Sequence, residues 1–159
     1  MKYPINIKNL NNNIEFYLEV VDLVEESKKY LKSFSWCHEI KKGYLYTNIG
    51  RVFCIFLYEI INTSSPEDNF NWVVVGDIPP MYLDIFGAES TVQVISNYVE
   101  LAQDWINQIR AGNSVDECYP FDVEPTIEFA DLLEKKISFM KSTLIFNIND
   151  IPFNVNNFD

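Results

Sequence analysis

The sequence predicts an α+β fold, with an antiparallel sheet of three to five strands and with one N-terminal and two C-terminal helices packed on it. Runs rich in β-branched and aromatic residues lie between segments whose apolar residues recur at helical spacing. The runs are joined by short connections, whereas a parallel pair would need a crossover of a dozen or more residues. The order of helix, strands and two helices also predicts that the helices lie on one face of the sheet.

The chain length of 159 residues fits a single domain with a sizeable core, and 48% of the residues are hydrophobic. We assign residues 1–146 to one α+β domain. Residues 147–159 are rich in Asn, contain Asp and lack Lys and Arg, and we interpret them as an acidic C-terminal tail.

The first helix is predicted to begin after the Asn11–Asn13 run, with Asn13 as its N-cap. The lysines near its end suit the negative end of the helix dipole. Residues at three- and four-residue spacing form its predicted apolar stripe: Ile14, Tyr17, Leu18, Val21 and Val24.

Four strands and one further edge strand are predicted between residues 36 and 85. Lys41–Gly43 is read as a turn between the first two strands, and Gly50 as a turn or bulge before the third. The third strand is apolar throughout, which is typical of a central strand covered on both faces. The predicted strands are Trp36–Ile40, Tyr44–Ile49, Val52–Ile61, Trp72–Val75 and the edge strand Met81–Ile85.

Two helices are predicted in the C-terminal half. Ser90 and Gln93 have the spacing of a capping box, and Gly112 is placed to end that helix. Its predicted buried stripe is Ile95, Tyr98, Val99, Ala102, Ile106 and Ile109. The last helix is predicted to begin near Pro125 or Thr126 and to bury Ala130, Leu133, Ile137, Met140 and Leu144.

The chain is strongly acidic, with 23 acidic residues against 12 basic ones and a net charge of -11. Such a charge repels phosphate backbones and anionic lipid, so we expect no direct nucleic-acid binding and no membrane binding. It favours a basic protein partner, although acidity can also serve solubility alone. No signal-peptide pattern or membrane-length apolar run is present, which predicts a cytoplasmic protein.

No catalytic motif is found. The three cysteines, Cys37, Cys54 and Cys118, lie far apart, which argues against a disulfide framework or a zinc site. Cys37 and His38 are adjacent on a predicted strand, so their side chains point to opposite faces and do not form a nucleophile–base pair. We therefore expect no cofactor, no metal site and no enzymatic activity.

Two segments are candidate sites. The acidic run between the last two helices carries two aromatic residues and is the predicted surface for a basic partner: Asp116, Glu117, Tyr119, Phe121, Asp122 and Glu124. A solvated loop before a helix that favours acidic residues in its first turn is the alternative interpretation of that run. The alternative site is the double-proline corner after the fourth strand, with Asp77 and Tyr82 and with Glu59 from the third strand. Capping of local N–H groups in the turn is the favoured structural interpretation of Asp77. Pairing with Arg51, Lys41 or Lys42 is the structural alternative for Glu59.

The segment Val73–Leu83 reads VVVGDIPPMYL. It resembles a family of small uncharacterised acidic bacterial proteins with a VVVGD-[LI]-PP-x-YL core, and Trp105, Arg110–Gly112 and Pro125–Thr126 are similar as well. No catalytic residue comes with this resemblance, which covers residues 35–145. More loosely, the chain is similar to the immunity proteins that accompany bacterial toxins, an analogy based on size, acidity and the lack of catalytic motifs.

The leading functional hypothesis is therefore a non-catalytic immunity protein, which neutralises a cognate toxin such as a basic nuclease by protein–protein contact. Such a protein would act in a toxin–antitoxin or contact-dependent growth inhibition system. The alternative is a small-molecule-binding protein or enzyme with its site near Asp77 and Tyr82. A self-associating structural subunit is the third hypothesis.

Overall fold

The computed structural model describes residues 3–145 and 149–158. The elements follow one another as a two-residue strand, a helix, four longer strands and two long helices. They are β1 (Ile5–Asn6), a short 3-10 helix (Ile7–Asn9), α1 (Tyr17–Lys32), β2 (Cys37–Ile49), β3 (Phe53–Asn62), β4 (Phe70–Gly76), β5 (Met81–Asp84), α2 (Thr91–Arg110), α3 (Ile127–Ile145) and a terminal 3-10 helix (Val155–Phe158).

The five strands form one antiparallel sheet in sequential order, β1-β2-β3-β4-β5. The predicted α+β class is therefore confirmed. β3 lies at the centre of the sheet, and Phe53–Tyr58 are buried without a break, as the uninterrupted apolar run predicts.

The helices lie on both faces of the sheet, so the prediction that they share one face is wrong. Alternate residues of β3 point to opposite sides: Phe53, Ile55 and Leu57 join one core cluster, and Cys54, Phe56 and Tyr58 join the other. α2 and α3 pack on the first side, which we call the hairpin face, and α1 packs on the second, the α1 face. A strand that is apolar on both sides requires this double cover.

The Lys41–Gly43 segment is not a turn. β2 continues through it as one strand of 13 residues, with irregular register between Cys37 and Glu39, between Ile40 and Lys42 and between Leu45 and Thr47. Gly43 lies opposite Tyr58, and a Cβ there would approach the Tyr58 Cδ1 atom to 2.6 Å. The glycine therefore makes room for a buried ring and does not turn the chain.

The start of α1 and its buried side also differ from the prediction. The helix begins at Tyr17, and its N-cap is Phe16, whose φ of 57° is left-handed and whose side chain makes no capping hydrogen bond, so Asn13 is not the cap. Leu18 is 74% exposed. The buried line is shifted around the helix and consists of Val20, Leu23, Val24, Ser27 and Leu31.

The predictions for the two C-terminal helices are confirmed for the residues described. The Ser90 hydroxyl accepts from the Gln93 N–H, and the Gln93 side chain accepts from the Glu89 N–H at 2.8 Å, so the box closes one residue earlier than expected. Gly112, with φ of 74°, follows the end of α2. Thr126 caps α3 through its hydroxyl, which accepts from the Phe129 N–H at 3.1 Å. The predicted burial of Leu144 lies outside the described side chains.

The C-terminal segment, as far as it is described, contacts the N-terminus of α2. Thr91 is held twice, because its N–H donates to the Ile151 carbonyl and its hydroxyl donates to the Asn149 carbonyl at 2.9 Å. The Phe153 ring lies 5.1 Å from the Phe70 ring. This segment therefore closes one end of the hairpin face.

Candidate functional site

A group of partly exposed aromatic rings lies where the C-terminal end of α1 meets β2 and β5. We call it the aromatic platform and define it as Tyr30, Phe34, Trp36 and Tyr82. Phe34 stacks on Trp36 with ring centroids 5.1 Å apart and an interplanar angle of 19°. Tyr82 contacts both, at 4.9 Å from Phe34 and 5.1 Å from Trp36. Each ring is thus held by at least one other, which fixes the platform before any partner arrives.

Tyr119 joins the acidic loop between α2 and α3 to this platform. Its hydroxyl lies 3.1 Å from the Tyr30 hydroxyl and accepts a hydrogen bond of 3.1 Å from the Tyr82 N–H. Two separately predicted sites, the acidic run and the double-proline corner, therefore meet at one place through Tyr119 and Tyr82.

The tyrosine hydroxyls at this junction stay protonated over the physiological range. Burial is the main cause that raises the pKa of Tyr30, Tyr119 and Tyr82 above the ordinary value. For Tyr82, the negative charges of Asp68 and Asp84 raise the pKa further. These hydroxyls act as hydrogen-bonding groups, and the Asp68 and Asp84 carboxylates make the surroundings of Tyr82 negative.

The acidic loop separates its charges from its aromatic rings. The carboxylate residues Asp116, Glu117, Asp122 and Glu124 are all exposed. Phe121, by contrast, is only 7% exposed and lies 5.8 Å from the Tyr98 ring and 4.9 Å from the Tyr119 ring. Phe121 is therefore an anchor of the loop in the hairpin-face core, and its ring is not presented at the surface.

The alternative site does not assemble as one cluster. In the β3–β4 register Gly76, which precedes Asp77, faces Phe53, while Glu59 faces Phe70. Six residues of strand separate these positions, or about 20 Å. Glu59 also belongs to the alternation of the hairpin face, whereas Tyr82, which pairs with Val73, packs on the α1 face. Glu59, Asp77 and Tyr82 therefore do not converge on one ligand.

Asp77 has a structural partner. Its carboxylate lies 3.4 Å from the Arg51 Nε, and the same guanidinium reaches Glu26 of α1 at 3.1 Å. This ion-pair network ties the β4 end to α1, so Arg51 does not pair with Glu59. Glu59 lies opposite Lys42 in the β2–β3 register.

The groups with nucleophilic or metal-binding chemistry remain apart. Cys37 is buried and His38 is exposed, in agreement with the opposite orientations expected on a strand. Burial raises the pKa of the Cys54 thiol to about 12, and it is also the main cause that raises the pKa of the Cys37 thiol. Among residues 3–145 and 149–158, no group of three or more His, Cys, Asp or Glu side chains is arranged to hold a metal ion.

Sequence reasoning missed three of the four platform residues. Tyr30, Phe34 and Trp36 precede Tyr82 by 46 to 52 positions, so no local pattern links them. The available signal was composition alone, since four aromatic or Leu residues crowd the segment Tyr30–Trp36.

Comparison with known proteins gives no match: no family model fits the chain, and no curated protein or solved structure is similar to it. Within the described part of the chain, none of the helices combines the length and apolar character needed to cross a membrane.

Proposed function

We propose that this chain is a non-catalytic binding protein that acts as an immunity protein and neutralises a cognate bacterial toxin by protein–protein contact. The observation that carries the proposal is the junction of the aromatic platform with the acidic loop. A rigid group of Trp, Tyr and Phe rings bordered by exposed carboxylates suits a partner that presents Lys and Arg side chains. A cytoplasmic location and a role in a toxin–antitoxin or contact-dependent growth inhibition system belong to the same proposal.

The charge distribution along the chain supports a basic partner. Residues 52–134 contain fifteen acidic residues and a single basic one, Arg110. Arg110 is already engaged, because its guanidinium contacts Asp131 at 2.8 Å and Glu134 at 2.5 Å. Asp77 is paired with Arg51, whereas the exposed loop carboxylates have no ion-pair partner among the described residues. These loop carboxylates can attract a cationic surface and raise its association rate.

The two parts of the site have separate expected roles. The platform rings, which are partly exposed and held by one another, are the anchors that determine how long the complex lasts. The exposed loop carboxylates form a rim, which acts mainly on encounter because exposed charges are screened by salt beyond about 8 Å at ~0.15 M.

The test measures association and dissociation rates against the toxin encoded next to this gene, at low and high salt. Trp36→Ala or Tyr82→Ala should speed dissociation about 30-fold, the equivalent of a ~2 kcal/mol hot spot. Phe86→Ala is the matched aromatic control, since Phe86 is 77% exposed and lies outside the platform. Far-UV circular dichroism verifies that each variant is folded.

Neutralising the loop carboxylates should slow association and flatten its salt dependence while dissociation changes little. The variant carries Asp→Asn and Glu→Gln changes at Asp116, Glu117, Asp122 and Glu124. The matched control makes the same charge change at Glu15, Asp22, Glu89 and Glu100, which are exposed elsewhere. If the loop variant and the control variant had equal effects, the loop would act only through the net charge of the protein. If the neighbouring toxin did not bind at all, the immunity role would be wrong.

A further inference from the structure

A second surface feature lies on the α1 face, at the opposite side of α1 from the platform. It is a groove of about 800 Å³ between α1, the N-terminal segment and the outer edge of β2. Five of the twelve basic residues of the chain line it, against two acidic ones. We call it the lysine groove, and its basic residues are Lys8, Lys28, Lys32, Lys41 and Lys42.

The floor of the lysine groove is apolar. Tyr17, Val21 and Val24 reach it from α1, and Ile7 and Ile40 reach it from the other wall. Val21 is 36% exposed. The apolar stripe that the sequence predicts for α1 therefore turns in large part toward this groove, since the buried side of the helix is centred on other residues.

The groove also exposes an open sheet edge. Within the described residues, β1 pairs only with Tyr44 and Leu45 of β2, while β3 covers the other side of β2 from Cys37 to Ile49. The segment from Glu39 to Lys41 lines the groove, and no strand among the described residues pairs with its outer side. The 3-10 helix Ile7–Asn9 packs against β2 next to this segment, near Gly43. One neighbouring carbonyl, that of His38, is engaged by the Lys32 ammonium at 3.1 Å.

We propose that the lysine groove binds an extended, acidic peptide segment, which adds as a strand to the outer edge of β2. Three features of the groove recognise such a ligand: the open backbone edge supplies hydrogen bonds, the apolar floor accepts alternate side chains, and the lysines pair with carboxylates. This site is separate from the junction of the aromatic platform with the acidic loop, and the proposal does not rest on the immunity role.

The charges also select against other strands. Lysines and irregular register on an edge strand normally discourage pairing with another chain. An acidic segment removes this penalty, because its carboxylates neutralise Lys28, Lys32 and Lys41, none of which has an ion-pair partner among the described residues. The whole chain carries a net charge of -11, so the groove is a local basic region on an acidic protein.

The probe is a fluorescein-labelled, capped eight-residue peptide of alternating valine and glutamate, whose binding to the full chain is followed by fluorescence anisotropy. Binding should weaken about tenfold in the double variant Lys28→Gln, Lys32→Gln, which keeps the apolar floor and releases only the His38 carbonyl at the edge. The matched control is Lys135→Gln, Lys136→Gln on α3, which makes the same charge change outside the groove and should bind like the wild type.

A second peptide separates strand addition from simple charge attraction. N-methylation of every backbone amide keeps the carboxylates and the valines but removes all backbone donors, and it should abolish binding. Two-dimensional NMR of the labelled protein should place the largest shift changes for the unmethylated peptide at Glu39–Lys42.

Several results would overturn the proposal. If the methylated peptide bound as tightly as the unmethylated one, strand addition would be excluded. If the groove variant and the α3 control variant lost the same affinity, the effect of the lysines would be one of net charge only. No binding of the valine–glutamate peptide at all would remove the ligand class. Competition by myristate, used as a small amphipathic anion, at lower concentration than by the peptide would assign the groove to a small molecule. Dimers seen by light scattering that disappear in the Lys28→Gln, Lys32→Gln variant would assign it to a second copy of this chain.

Discussion

The two faces of the sheet differ in how completely they are covered. Five strands spaced about 4.8 Å apart make a sheet nearly 20 Å wide, whereas a helix with its side chains is about 10 Å across. Two helices cover the hairpin face, and buried residues occur along the whole length of α2, from Thr91 to Ile109. The α1 face has a single helix, so α1 leaves the aromatic platform on one side of it and the lysine groove on the other. The less covered face therefore carries both the aromatic platform and the lysine groove.

The same comparison separates the charges. Residues 1–51 contain eight of the twelve basic residues and contribute α1, β1, β2 and the lysine groove. The acid-rich stretch 52–134 contributes the loop beside the platform. The net charge of -11 does not show that the basic and acidic residues lie in different parts of the chain. A binding partner interacts with the charges near its site and not with the net charge alone.

The largest loss of stability should come from a substitution on the hairpin face. Trp72→Ala removes a fully buried side chain whose Nε1 donates to the Ala88 carbonyl at 2.9 Å, and the free energy of unfolding should fall by about 4 kcal/mol. The matched change on the other face, Val21→Ala in the lysine groove, should cost less than about 1 kcal/mol, because Val21 is already partly exposed. Urea denaturation followed by circular dichroism measures both, and similar losses would show that the two faces are equally closed.

Two glycines, Gly43 under α1 and Gly112 after α2, differ in how closely other atoms surround them. Gly43→Ala places a methyl group against the buried Tyr58 ring, whose hydroxyl is hydrogen-bonded to the Ser27 hydroxyl at 2.5 Å. Because the ring cannot move away, we expect the free energy of unfolding to fall by about 2 kcal/mol. Gly112→Ala on the hairpin side meets no atom within 4 Å and should lose about 1 kcal/mol from its left-handed backbone alone. Denaturation midpoints at equal slope give the two values. A larger loss at Gly112 would contradict the close packing seen at Gly43.

The Tyr119 hydroxyl, which connects the acidic loop to the aromatic platform, should make a measurable contribution to stability. Tyr119→Phe keeps the ring but removes the hydroxyl that bridges Tyr30 and the Tyr82 N–H, and unfolding should become easier by about 1 kcal/mol. Tyr17→Phe in the lysine groove is the matched control and should change stability by less than about 0.5 kcal/mol. Native-state hydrogen exchange at Tyr82 should accelerate only in the Tyr119 variant. Unchanged exchange there would mean that the hydroxyl does not hold the loop to β5.

The smallest effect concerns pH. Burial, followed by the charges of Asp84 and Glu67, raises the pKa of Asp68, so the folded protein binds this proton more tightly than the unfolded chain. Stability from this group is complete below the unfolded pKa of 3.8 and is lost as pH rises through the folded pKa. Asp68→Asn should therefore raise stability at pH 7 by roughly 0.5 kcal/mol, a value kept small by solvent screening, and should remove the advantage near pH 3.

Glu134 is the opposite case within the same acidic stretch. The Arg110 guanidinium lowers its pKa, so its contribution is present above the unfolded pKa and disappears as pH falls through the folded one. Denaturation curves between pH 3 and pH 7 for Asp68→Asn and Glu134→Gln should thus slope in opposite directions relative to the wild type. Parallel slopes would contradict the distinct surroundings of these two carboxylates.

The fold class, the central position of β3 and the C-terminal helices could be predicted from the sequence, because they depend on local periodicity and on cap residues such as Ser90 and Gly112. The sequence did not determine the side of α1 that is buried, since Leu18 and Val20 are both apolar and only contact with the sheet distinguishes them. It also could not distinguish Gly43 as a turn from Gly43 as space for Tyr58. The platform and the lysine groove were decided by tertiary structure alone. They join residues from separate parts of the chain on a face that one helix is too narrow to cover.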